Sequence, residues 1–83
     1  MKINVYAIKD AKAGIFHPPF FSQNHATATR SANHSARDAH SLSNSHPEDF
    51  AIYHIGTFDD ESGKLSVMPT PDFVSNISIP AAV

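Results

Sequence analysis

Cysteine and tryptophan are absent from these 83 residues, and glycine occurs only three times. Without cysteine there is no disulfide and no thiolate metal site, and nothing marks an oxidising compartment. The glycines stand at positions 14, 56 and 63, too scattered for a phosphate-binding loop. No Gly-x-Ser-x-Gly nucleophile elbow occurs. Long apolar runs are missing too. Nothing approaches the roughly 18 residues of a membrane span, and no apolar stretch of signal-peptide length follows Met1-Lys2-Ile3-Asn4. These absences predict a soluble intracellular protein with no membrane association, no catalytic residues and no cofactor.

What is present is modest. Apolar residues make up 41% of the chain, on the low side for a globular protein, so six Phe and two Tyr must supply much of the core. The length fits one domain over 1–83, and a chain this short buries only roughly 60–65% of its unfolded surface. With disulfides excluded and no metal site evident, oligomerisation is the expected staple. The net charge of −2 hides an asymmetry. Residues 1–37 hold Lys2, Lys9, Lys12, Arg30 and Arg37 against Asp10 alone. Residues 38–83 hold Lys64 against Asp38, Glu48, Asp49, Asp59, Asp60, Glu61 and Asp72. A basic end of this kind suits a polyanion, and it equally suits the acidic end of a second copy.

Along the chain, residues 2–8 alternate as a β-strand does, with Ile3, Val5 and Ala7 on one face and Lys2, Asn4, Tyr6 and Ile8 on the other. Ile15 to Phe21 contains Pro18-Pro19 and reads as an extended rod carrying Phe16, Phe20 and Phe21. Ala28, Ala32, Ala36 and Ala39 share one helical face, which predicts a helix over about 23–37 with Ser22 or Asn24 as its cap. A polar loop near 40–46 follows. Ser45-His46-Pro47-Glu48 has capping-box spacing and predicts a short helical turn. Residues 50–58 form the strongest strand, with Phe50, Ile52 and Phe58 on one face and Tyr53 and Ile55 on the other. Gly63 suits the left-handed position of a turn, so 50–68 reads as a hairpin ended by Pro69 and Pro71. Thr70-Pro71-Asp72 resembles a helix start, giving one turn through Asn76. The tail from Ile77 to Val83 reads as loosely packed. The expected fold is α+β: a small antiparallel sheet, made of the N-terminal strand and the hairpin at about 50–68, with one helix at about 23–37.

Six histidines, at positions 17, 25, 34, 40, 46 and 54, invite a metal reading. Their spacing places no two at i, i+4 on a helix or at i, i+2 on a strand, so no metal site is expected. The clusters Glu48-Asp49 and Asp59-Asp60-Glu61 read as solvated turns rather than as a divalent-ion site. A nucleic-acid reading rests on Arg30 and Arg37, about 10.5 Å apart along one helix face, with Lys9 and Lys12. Phe16 and Phe20 head the rings available for stacking on bases, with Phe21 and Tyr6 beside them. A sequence pI near 6.3 argues against a strong electrostatic footprint.

Several motifs recur together in one family. They are Tyr6-x-Ile8-x-Asp10-x-Lys12-Ala13, Phe16-x-x-Pro19-Phe20, Ala28-x-Arg30, His46-Pro47-Glu48-Asp49-Phe50, and Tyr53-x-Ile55-Gly56-x-Phe58-Asp59 with Gly63. In this order they resemble the small nonstructural protein of gokushovirus-like phages, the icosahedral single-stranded DNA phages of the Microviridae. Ala32 stands where that family usually carries a bulky aromatic, and Phe50 where it usually has Tyr. The resemblance implies a protein of the infected bacterial cytoplasm that binds single-stranded DNA, or phage and host replication and assembly proteins, during genome synthesis and packaging. The alternative is a homo-oligomeric, scaffold-like assembly protein that touches no DNA. The resemblance carries no catalytic residue. Pro47, Glu48, Gly56 and Asp59 are expected to set turns and close approaches rather than chemistry.

Overall fold

A computed structural model describes residues 1–36 and 46–78. The chain forms β1 (Lys2–Asp10), β2 (Ile15–Phe16), β3 (Phe20–Ser22), α1 (His25–Ala36), a short 3-10 turn (Pro47–Asp49), β4 (Phe50–Asp59) and β5 (Leu65–Asn76). All five strands join one antiparallel sheet in the order β2-β1-β4-β5, with β3 also on the outer side of β1. The helix covers one face of this sheet. The α+β architecture expected from the sequence is therefore present.

Each element follows from local chemistry. Alternation in β1 places Tyr6 and Ile8 toward the helix, where they meet Ala28, Ala32, Ala36, Phe50, Ile52 and Ile77. The three alanines lie one helical turn apart and are fully or nearly buried. Their small side chains let the helix approach the sheet closely. Asn24 caps the helix, its Oδ1 accepting from Thr27 N at 2.9 Å. The anticipated final residue, Arg37, lies outside the described residues, as does most of the 40–46 loop. Gly14 and Gly63 adopt φ of 72° and 73°, the left-handed geometry that turns such as 59–63 require.

Several expectations need correction. Residues 15–21 are not one extended rod. β2 and β3 each pair with β1, and the prolines fall in the gap between them, where no ladder donor is needed. Residues 70–76 form no helical turn. β5 runs on to Asn76, with Tyr53 opposite Phe73 and Ala51 opposite Asn76. Pro69 and Pro71 are tolerated because β5 is an edge strand and its register shifts there, between the pairs His54–Asp72 and Gly56–Val67. The tail is anchored at its start. Ile77 is buried, its amide donates to Phe50 O at 3.1 Å, and Ser78 N donates to Asn33 Oδ1 at 2.9 Å.

The faces of β4 also differ from a simple alternation. Val5 pairs with Gly56 but Tyr6 pairs with His54, so Ile55 is an extra residue. The bulge moves Phe58 to the face of Tyr53, away from Phe50 and Ile52. Gly56 is buried where β4 and β5 meet, and a Cβ there would collide with the Ser66 carbonyl oxygen. Gly56→Ala should therefore push β5 away from β4 at a cost of about 2 kcal/mol. A thermal melt should show Tm lowered by roughly 10 °C. An unchanged Tm would show that β5 moves aside freely.

Candidate functional site

The sheet face opposite the helix has no second layer among the described residues. Register and alternation place Ile3, Val5, Ala7 and Lys9 of β1 on it. Tyr53 and Phe58 come from β4, Phe16 and Phe21 from β2 and β3, and Leu65, Val67 and Phe73 from β5. Five of the eight aromatic rings thus lie on the uncovered face. Val5 and Ala7, at its centre, are nevertheless only 4% and 1% exposed, because the larger side chains close over them.

The rings form two rows across the strands. Phe16 meets Tyr53 edge-on with centroids 5.5 Å apart, and Tyr53 meets Phe73 in the same way at 5.8 Å. The small side chain of Ala7, opposite Tyr53, leaves room for Phe16 to reach across β1. Lys9 Nζ lies 5.5 Å from the Phe16 centroid, a cation–π contact at the end of this row. In the second row Phe21 meets Phe58 at 5.8 Å, with aliphatic Leu65 and Val67 on the β5 side. The first row combines aromatic faces, edges and a cation. The second row is wholly apolar.

The residues singled out from sequence are divided by this geometry. Lys9 and Phe16 come together on the open face. Phe20 turns to the helix side and stacks on buried Tyr6, with centroids 5.9 Å apart, so both rings lie away from the open face, Tyr6 fully and Phe20 partly buried. Lys12 is exposed in the turn after β1, where its amide donates to Asp10 Oδ1 at 3.0 Å. Arg30 is exposed on the outer side of α1 beside Thr27, Ser31, His34 and Ser35, across the sheet from Lys9 and Phe16. Arg37 lies outside the described residues. Phe21, named beside Phe16 as a stacking ring, also lies on the open face, whereas Tyr53, Phe58 and Phe73 go unmarked in the sequence pattern. No sequence signal pairs Tyr53 and Phe73 with Phe16, because only the strand register brings the three to one face.

Beneath α1, Tyr6, His25 and His54 form a second cluster. The Tyr6 hydroxyl and His25 Nδ1 are hydrogen-bonded at 2.7 Å, and the His54 ring lies 5.2 Å from each of the other two. Burial holds the Tyr6 phenol above its ordinary pKa. This cluster knits the helix N-terminus to the sheet. At the opposite end of β1, His46, Glu48 and Asp49 bring potential ligand atoms within 4.8 Å of one another. His46 and Glu48 are exposed and none of the three belongs to the core. Among the described residues, no helix is long and apolar enough to cross a membrane.

A family model described as Phage ORF5 protein matches residues 3–79, which takes in the helix and every described strand but for Lys2 at the start of β1. No curated protein and no solved structure gives a significant match.

The position of the His46–Glu48–Asp49 group outside the core sets an expectation for metal removal. Thermal melting should be the same with and without EDTA, since no core contact depends on these side chains. A large fall in Tm on chelation would show that a cation at this group supports the fold.

Proposed function

The chain belongs to the Phage ORF5 protein family, and from that premise we propose that it is a non-enzymatic phage protein that binds single-stranded DNA on its open sheet face. The observation that carries this reading is the row Phe16–Tyr53–Phe73, three rings in contact across the sheet with Lys9 at one end. Exposed aromatic faces accept any base, and each engaged base contributes roughly 1–3 kcal/mol. The row needs unpaired bases, because a duplex keeps its bases stacked on one another. Single strands are therefore favoured over duplex, with little sequence preference.

The phage context follows the same line. The motifs from Tyr6 to Gly63 resemble the nonstructural protein of gokushovirus-like Microviridae, whose genomes are single-stranded DNA. In that setting the protein acts in the bacterial cytoplasm, on the DNA itself or alongside replication and assembly proteins, while genomes are made and packaged. Electrostatics plays a small part. Lys9 stands at the end of the row and Lys12 in the turn that follows β1, so about two phosphate contacts are expected. The logarithm of the binding constant should fall with the logarithm of salt on a slope of roughly −1.5.

Titration with oligothymidine at two salt concentrations tests this. Phe73→Ala, at a ring 53% exposed, should weaken binding roughly tenfold with the fold intact. Arg30→Ala should change it less than about twofold, since Arg30 stands on the other side of the sheet. Loss in Arg30→Ala with none in Phe73→Ala would move the contact to the helix. No binding by the natural sequence at low salt would favour a self-assembling role without DNA.

A further inference from the structure

The open face carries an apolar patch at the upper end of what a lone chain leaves in water. Phe21, Leu65, Val67 and Phe73 keep 57%, 56%, 78% and 53% of their surface exposed. β1, β4 and β5 are 9, 10 and 12 residues long, and β2 and β3 share a fourth position beside β1; at about 4.8 Å between strands and about 3.3 Å per residue, the whole face is on the order of 600 Å². That is as large as the largest apolar patch typical of a monomer. Two such faces laid together bury about 1,200 Å², the size at which specific interfaces begin.

We propose that, in the absence of DNA, a second copy of this chain closes the open face, sheet against sheet, and that single-stranded DNA and the second copy compete for it. Three observations favour a second copy over any other occupant. Lys9 is the one charged side chain that the β1 and β4 register places on the face, so a two-fold axis brings few like charges together. The face is a regular twisted sheet, and such faces pack on one another in near alignment about 10 Å apart. Beyond β5, Ile77 enters the core under the helix and Ser78 is bonded to Asn33 of α1, so the described chain leaves β5 on the helix side and supplies no cover of its own. The resulting dimer has four layers, with a helix outside each sheet.

The competition rests on the DNA reading, whereas the dimer does not. Phe16, Tyr53 and Phe73 lie within the area a second copy would cover, so the same rings serve either partner. Binding of DNA then draws on the fraction of chains whose face is open, and its apparent affinity falls as protein concentration rises.

Sedimentation of the full chain from low to high micromolar concentration, with and without oligothymidine, tests both parts. The natural sequence should approach twice the 9.0 kDa chain mass without DNA. It should dissociate as oligothymidine is added. Val67→Lys lies outside the Phe16–Tyr53–Phe73 row, so it should give a folded monomer that binds oligothymidine several-fold more tightly. Leu65→Lys serves the same purpose should the first variant melt early. A monomer at every concentration, or a dimer that survives both lysines, would overturn the proposed interface. A dimer that binds oligothymidine without dissociating would overturn the competition. A dimer that binds no oligothymidine would leave the interface standing and refute the DNA reading instead.

Discussion

One extra residue in β4 decides what the molecule presents to its surroundings. Between the pairs Val5–Gly56 and Tyr6–His54, Ile55 has no partner in β1. A strand without this bulge would carry Tyr53 and Phe58 on opposite faces. With it, both rings lie on the face away from the helix, while Phe50, Ile52 and His54 remain beneath it. The same irregularity affects β5, whose pairing with β4 skips from Val67 to Asp72 across the bulge. Gly56 makes this possible, because no side chain larger than hydrogen fits against the Ser66 carbonyl there. Two consecutive faces of different character thus depend on a bulge and the glycine beside it.

The two layers use side-chain volume in opposite ways. The helix contributes alanines to the core, which allow close approach but bury little area each. The large inward groups come from the sheet, chiefly Tyr6, Phe50 and Ile52. The hydrogen bond between Tyr6 and His25 ties that core to the start of α1, and Asn4 Nδ2 donates to Gln23 O just before it. Five rings remain on the other side, where they shield Val5 and Ala7; Phe16, Phe21 and Phe73 stay exposed themselves, and Tyr53 and Phe58 are partly buried. A chain with so few large apolar residues gains more stability by burying rings than by displaying them. Their display is therefore better explained by a partner than by folding.

Much of this fold is legible in the sequence, and the failures share a cause. Alternation in 2–8, the alanine stripe and the Gly63 turn are local signals, and each appears as its element. Over 70–76 the sequence points away from a strand because Pro69 and Pro71 are strong local stops, whereas tertiary pairing with β4 carries an edge strand past them. Simple alternation puts Phe58 on the face of Phe50 and Ile52, because a bulge leaves no mark in a hydrophobic pattern beyond the glycine at 56. The aromatic row could not be read at all. Phe16, Tyr53 and Phe73 come from three strands far apart in the chain, and only the register brings them together. Lys9 and Phe16 stand out in the sequence separately, one as a cation and one as a stacking ring, and only the register makes them neighbours; Phe20, one residue before Phe21, faces the other way and packs against the core.

Charge and chemistry are separated in this molecule, and that separation favours the sheet face over the helix as the place where binding energy arises. Among the described residues, the basic side chains Lys9, Lys12 and Arg30 do not converge. Lys9 reaches the open face, Lys12 stands in a turn, and Arg30 projects from the far side of α1. The acidic turn at 59–61 is engaged locally, with Met1 N 2.7 Å from Asp60 Oδ1. The Glu61 amide bonded to Asp59 holds that carboxyl below its ordinary pKa. Scattered charges of this kind steer an approach and are screened by salt. They do not fix a ligand's position. The rings do, because their contacts are short-range and defined by the strands that carry them. A ligand that binds here must therefore offer apolar or aromatic surface first and charge second, a requirement that exposed bases and a second sheet both meet and a bare polyanion does not.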